Sequence, residues 1–360
     1  MTARSTETST AEQALFAAEA PKLTLEDAQT IARDVYGLRA RAELLSSERD
    51  QNFHLRLEDG SAYVLKATHP AEDPAVTDFQ TQAQLHLMRA DRDLPVPHLH
   101  PARDGHYVHW HEGPAGVRRA IRLITFLPGV PLHKTARSDA QAGALGRSLA
   151  RFDLALGGFE HPTANHKLLW DLQHAGQVAD LLPFMEDVGR RALAEQSLEH
   201  FTIHVRPALP GLRRQVIHND LNPYNVMVDA AHPDRVCAIL DFGDMVEAPL
   251  VQDLAVACSY LLEDSDNPLD RAAACVASYH REIPLAAGEI ALLPDLIAAR
   301  LLITVAITGW RAKQHPENRN YILRNNGPAW IGLARLAALP RGLAHEILSR
   351  ACGAILENPK

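Results

Sequence analysis

The period of the apolar positions changes about a third of the way along the chain. Over residues 24–40 the spacing Leu25, Ala28, Ile31, Ala32, Val35 follows one face of a helix, with Thr24 placed to cap it. Residues 52–57 then alternate through Phe53, Leu55 and Leu57, Glu58-Asp59-Gly60 supplies a turn, and 61–66 alternates again through Ala62 and Val64. This pattern predicts a β-hairpin ending at Lys66. A helix is predicted over 76–90, short strands around 107–110 and 117–126, and a break at Leu127-Pro128-Gly129. Beyond the break helical spacing dominates, most clearly over 140–156, 170–182 and 251–262. Strands followed by helices predict an α+β fold rather than a doubly wound parallel sheet. The expected divisions are a disordered opening over 1–22, a strand-rich part over 23–126 and a helical part over 127–360.

Composition narrows this picture. With 46% apolar and 22% charged residues the chain is globular in type, and its net charge of -8 argues against nucleic acid and suits a cationic small molecule. The cysteines Cys237, Cys258, Cys275 and Cys352 form neither a CxxC pair nor a disulfide framework, which points to a reducing cytoplasm. The opening residues lack the apolar core of a secretory signal. The most apolar stretch, 290–310, contains Pro294, Asp295 and Arg300, so a buried helix is expected there rather than a membrane span. His98, His100, His106, His109 and His111 lack accompanying cysteines or acids at a metal-binding spacing, and read as a hairpin surface rather than a zinc site. Nothing in the sequence indicates an oligomeric state.

The chemistry lies in Val216-Ile217-His218-Asn219-Asp220-Leu221-Asn222-Pro223-Tyr224-Asn225-Val226-Met227-Val228 and Ala238-Ile239-Leu240-Asp241-Phe242-Gly243-Asp244. Apolar runs flank a polar loop. Asp220 and Asn225 are five apart and Asp241 follows sixteen residues later, so a short hairpin would bring the three together. Phosphoryl transfer needs an Asp to take the hydroxyl proton, and an Asp and an Asn to hold divalent metals against the phosphate oxygens. Asp220 suits the first role, Asn225 and Asp241 the second, and His218 would brace the loop.

These residues resemble the aminoglycoside phosphotransferase and choline kinase superfamily, whose motif is H-x-D-x-x-x-x-N followed by an aspartate in a D-F-G-like string. Asn219 stands where protein kinases carry Arg, which favours a small-molecule kinase. The resemblance covers roughly 44–262 and implies a two-lobed protein-kinase-like fold, with a small strand-rich N-lobe, a larger helical C-lobe and nucleotide between them. It implies ATP or GTP as co-substrate and two Mg2+ ions. Lys66 matches the family lysine that pairs the nucleotide phosphates, and Asp78 falls where its helix partner is usually Glu. The phosphate-covering loop corresponds to 46–53, where Ser46, Ser47, Gln51 and Asn52 replace glycines as hydrogen-bond donors. Residues 123–129 resemble the hinge, placing Phe126 at the purine edge, and Asp253 matches an aspartate that supports the catalytic loop.

Asp-Gln-Asn-Phe-His at 50–54, Pro316-Glu317-Asn318 and Tyr321 resemble the hydroxylysine kinase branch. A hydroxylysine-like acceptor is therefore favoured over homoserine, choline, ethanolamine or an aminoglycoside. An ammonium on the acceptor calls for carboxylates, and Asp244 and Glu247 are candidates, with a solvated loop as the competing reading. A nucleotide-binding pseudokinase without turnover is the alternative from another class; the glycine-free loop leaves it room, and the retained Lys66, Asp220, Asn225 and Asp241 oppose it.

Overall fold

The computed structural model describes residues 21–47, 50–113, 116–340 and 342–353. The opening segment expected to be disordered lies outside the described residues as far as residue 20. The chain forms two compact units, one of residues 1–128 with 161–167 and one of 129–160 with 168–360.

The first unit opens with helix α1, Leu25–Tyr36, whose Thr24 and Asp27 form a reciprocal capping box. The helix stops short of the expected residue 40 because Gly37 takes φ 76°, a left-handed cap natural to glycine. Residues beyond it form a strand that the periodicity did not reveal. Strands β1 (Ala40–Leu45), β2 (Gln51–Leu57) and β3 (Ala62–Ala67) make a meander. Helix α2, Pro74–Ala90, starts on an Asp73 cap with proline in its first turn. Then come β4 (Leu99–His100), β5 (His109–Glu112) and β6 (Arg118–Thr125). The antiparallel sheet runs β1-β2-β3-β6-β4, with β5 paired to the opposite end of β6. Ile31, Phe53, Leu55, Leu65, Ile121 and Leu123 pack between α1 and the sheet, each 4% exposed or less. That packing fixes the face from which Lys66 projects.

The second unit begins with β7 (Val130–Pro131) and helix α3 (Asp139–Ala155). The helix expected over 170–182 is instead a run of 3-10 turns, Leu172–Phe184, kinked at His174 and interrupted by Pro183. Proline removes an amide that a continuous helix would need. Helix α4 spans Val188–His200, and short strands follow: β8 (Arg214–Ile217), β9 (Val226–Val228), β10 (Val236–Ile239) and β11 (Val246–Pro249). Helices α5 (Leu250–Ser259), α6 (Asp270–Glu282), α7 (Ala287–Gln314), α8 (Asn326–Ala338) and α9 (Leu343–Gly353) complete the unit, with a helical turn at Arg319–Ile322. Helix α7 has the length and apolarity to cross a membrane, yet 67% of its most apolar window is buried within the protein. It is the central helix of this unit, and it buries Arg300 and Arg311 as well as aliphatic side chains.

Two glycines determine how closely α3 meets α6. A Cβ on Gly146 would lie 2.1 Å from the Cys275 carbonyl oxygen, and one on Gly143 would lie 2.9 Å from Ser278 Oγ. This contact sets Asp153, on α3, against Tyr279, on α6.

Candidate active site

The catalytic segment joins two different sheets, unlike the single hairpin that its spacing suggested. Strand β8 enters from a pair with β11, whereas β9 leaves into a sheet with β10 and β7. The β9–β10 hairpin carries Asn225 and Asp241 at its open end, and Leu240 N–H donates to the Asn225 carbonyl at 2.7 Å. Asp220 lies on the loop between the sheets.

That loop is held through its main chain. Both oxygens of the buried Asp253 accept backbone amides, from His218 and from Asn219, at 2.8 Å each. Asn219 thereby keeps φ 63°, and Asp241 has φ 62°. Among the described residues these are the non-glycine positions with positive φ, a conformation that Asn and Asp tolerate best and that concentrates at functional sites. His218 braces the loop as expected from its place in the motif: its Nε2 lies 3.0 Å from the Leu240 carbonyl, and its Nδ1 accepts the Asp220 amide at 3.2 Å.

Beneath Asp253 lies a second acid. Asp153 Oδ2 accepts the Tyr279 hydroxyl at 2.6 Å, and burial, then the Asp253 charge, push the Asp153 carboxyl well above the usual carboxylate range. Tyr279, Asp153 and Asp253 thus form a buried row beneath the amides of the catalytic loop, with each acid held above its ordinary range by burial. Sequence reasoning identified Asp253 and missed Asp153.

Three donors converge on the Asp220 carboxylate. Arg300 Nη2 donates to Oδ1 at 2.9 Å, and the side-chain amides of Asn222 and Asn225 donate to Oδ2 at 2.8 Å each. Arg300 itself donates to the Trp170 carbonyl and to the Tyr260 hydroxyl, both at 3.1 Å, and is 1% exposed. Burial pushes the Asp220 carboxyl up to about 7, against the pull of Arg300 and with an upward contribution from Asp244. A base poised near neutrality is suited to accepting a proton from an alcohol. No local motif marks Arg300, which stands eighty residues from Asp220; its one sequence signal is a cation inside an apolar helix.

The donors expected for a divalent metal fit one. Asn225 spends its NH2 on Asp220, which leaves its carbonyl oxygen with no protein partner among the described residues. Asp241 is exposed and adds a carboxylate. Hard oxygen donors of this kind suit Mg2+.

Other expected positions are redistributed. Asp244 reaches Asp220 electrostatically. Glu247 does not join it: lying on β11, it pairs with Arg214 Nε at 3.6 Å. In the first unit Lys66 Nζ pairs with Asp50 Oδ2 at 3.1 Å, and Asp78 is not its partner. Asp78 Oδ2 meets His161 Nε2 at 3.2 Å instead. The reason is helical phase, since Gln80, two residues on, is the one that turns to the sheet, accepting from Arg122 at 3.1 Å. Asn52, Lys66 and Arg122 are cross-strand neighbours in one row, so Asn52 does stand beside the lysine. Gln51 faces elsewhere, bonded to both backbone groups of Leu23 and to Arg119. Ser47 bonds the Asp50 carbonyl, Ser46 makes no side-chain hydrogen bond among the described residues, and residues 48–49 lie outside them. The Phe126 amide, expected at the purine edge, is already given to the Ala62 carbonyl at 3.1 Å, as the continuation of β6 requires.

Comparison with known proteins agrees with this arrangement. Residues 41–284 match the phosphotransferase enzyme family APH. Hydroxylysine kinase of Mus musculus is 26% identical over 350 residues, covering 91% of this chain and 93% of the relative. Homoserine kinase of Azorhizobium caulinodans is 29% identical over 258 residues, 68% of this chain and 73% of the relative. Among solved structures a microcompartment-associated aminopropanol kinase superposes with a TM-score of 0.68 at 22% identity, covering 91% of this chain and 99% of that one. With its kinase-like fold and the family match running through the strand pair that carries Lys66, the loop that holds Asp220 and the hairpin that ends at Asp241, the chain belongs to the APH phosphotransferase enzyme family and is a small-molecule kinase.

Proposed function

We propose that this kinase transfers the γ-phosphoryl group of ATP or GTP to the hydroxyl of a cationic amine or amino acid, with hydroxylysine-like compounds favoured. The observation that carries the reading is the Asp220 carboxylate, fixed by Arg300, Asn222 and Asn225 and pushed up to about 7. In that state it orients an acceptor hydroxyl and takes its proton as the oxygen attacks phosphorus. Arg300 and the two amides keep the carboxylate from rotating away, and Asp253 keeps the loop from opening. Asn225 and Asp241 would hold Mg2+, two ions in the family pattern, which neutralises charge on the phosphates when bound. Lys66 contributes a further phosphate contact from its own unit. Asp244 receives the acceptor ammonium. The hydroxylysine kinase relative, matched over most of both chains, supports this choice of acceptor.

The test is nucleoside diphosphate release from ATP and from GTP with hydroxylysine, homoserine, choline, ethanolamine, an aminoglycoside and neutral diols. Release dependent on hydroxylated amines or amino acids is expected, with hydroxylysine ahead. A preference for the diols would discard the cationic acceptor.

A further inference from the structure

A guanidinium without a counter-ion stands against the catalytic loop. Arg324 lies 4.2 Å from the centre of the Tyr224 ring and 4.0 Å from that of Tyr321. Among the described residues its guanidinium makes no hydrogen bond and no ion pair. Tyr224 belongs to the loop between Asp220 and Asn225, and its amide donates to Asn222 Oδ1 at 2.8 Å. His133 stacks on the same ring at 4.1 Å. The rings of Tyr224 and Tyr321 hold the guanidinium carbon in place.

These ring contacts leave its N–H donors without an acceptor among the described residues. A guanidinium fork matches a carboxylate in a two-point hydrogen-bonded pair, and a side chain already held in place loses less entropy in forming it. Two anions come into question, a nucleotide phosphate and a carboxylate of the acceptor. Lys66, Asp220, Asn225 and Asp241 all fall within the family-matched residues 41–284, as do the phosphate-handling roles assigned to them. Arg324 and Tyr321 lie beyond that stretch, outside the residues given phosphate-handling roles above. The second unit also holds a carboxylate, Asp244, within electrostatic range of Asp220, which supplies the opposite charge.

We propose that Arg324 receives the carboxylate of the acceptor, so that the preferred substrates are hydroxy-amino acids rather than amino alcohols; this rests on the kinase reading above and narrows its acceptor class. Asp244 and Arg324 then read the ammonium and the carboxylate of one zwitterion, while Asp220 takes the proton of its hydroxyl.

The experiment compares 5-hydroxylysine with its decarboxylated counterpart, 1,5-diaminopentan-2-ol, as acceptors at saturating ATP, for wild type, Arg324→Gln and Arg324→Lys. Wild type is expected to favour the amino acid in kcat/KM by about 10- to 100-fold, as befits one charge-assisted pair. In Arg324→Gln that ratio collapses toward one through a raised KM for the amino acid, and in Arg324→Lys, which keeps the charge without the fork, it falls partway. Three results would overturn the assignment: a ratio unmoved by either substitution, a defect seen as a raised KM for ATP, or a wild type that prefers the diamine. The last leaves the kinase reading standing, whereas wild-type turnover of neither compound removes the hydroxylysine-like acceptor along with the role of Arg324.

Discussion

The lysine and the aspartate of this enzyme are held in opposite ways. Lys66 projects from a regular strand and meets Asp50 in an ion pair whose side chains are 17% and 16% exposed. Asp220 sits on an irregular loop, yet its carboxylate takes three donors and its main chain is gripped by Asp253. In the role proposed for it, Lys66 has only to present a charge, and a partner that phosphate can displace serves well. Asp220, as the proposed base, must point at one oxygen, and that demands many restraints converging on a single side chain.

The sharpest way to break the contrast is Asp220→Asn. The amide cannot take the proton, and its NH2 would face either Arg300 or the two asparagine amides; kcat should fall about 10²- to 10⁴-fold with nucleotide affinity nearly kept, as steady-state kinetics and nucleotide titration would reveal. A variant retaining most of its activity would remove Asp220 as the base. Lys66→Ala should instead act on binding, raising the nucleotide KM about tenfold, or roughly 1.4 kcal/mol, with kcat less affected.

Gly146→Ala tests the scaffold below the loop. Its methyl would collide with the Cys275 carbonyl, so α3 and α6 must separate at a cost of about 1–3 kcal/mol, read as a lower Tm. Asp153→Asn sharpens the comparison through pH. An acid whose folded pKa lies above its unfolded value, near 4, binds an extra proton when folded, so wild-type stability is greatest at low pH and declines as pH climbs toward the folded value. Asparagine has no titrating proton and should flatten the decline in Tm between pH 5 and pH 8 by a few degrees, an effect on the order of 1 kcal/mol. An unchanged slope would mean that Asp153 is ionised in the native protein. The smallest effect belongs to Asp78→Ala, which removes a pair with His161 and should cost less than about 1 kcal/mol, leaving the nucleotide KM where it was.

Much of this was legible before any coordinates. Alternation in 52–57 and 61–66 located the hairpin that ends at Lys66, and the helix of 140–156 came within a residue of α3 at either end. Asp220, Asn225 and Asp241 were visible because phosphoryl transfer constrains both residue type and spacing. Strand β1 was obscured, since Gly37 ends the first helix just where short alternating residues resume. Asp153 and Arg324 were invisible for a different reason, and Arg300 showed only as a cation in an apolar helix: each meets a partner distant in sequence, and no local pattern records such a contact. Asp78 was misplaced because half a helical turn of phase cannot be read from a motif alone.

Asp253 grips amides, not side chains, and that has a consequence for what the loop can become. Any residue but proline at 218 or 219 offers the same two N–H groups, so the grip is indifferent to identity provided that position 219 tolerates a φ of 63°. Asparagine, aspartate or glycine would all serve there. Chemistry at Asp220 and wording at its neighbour are thus decoupled, and position 219 has latitude to drift in sequence while the Asp220 carboxylate stays aimed.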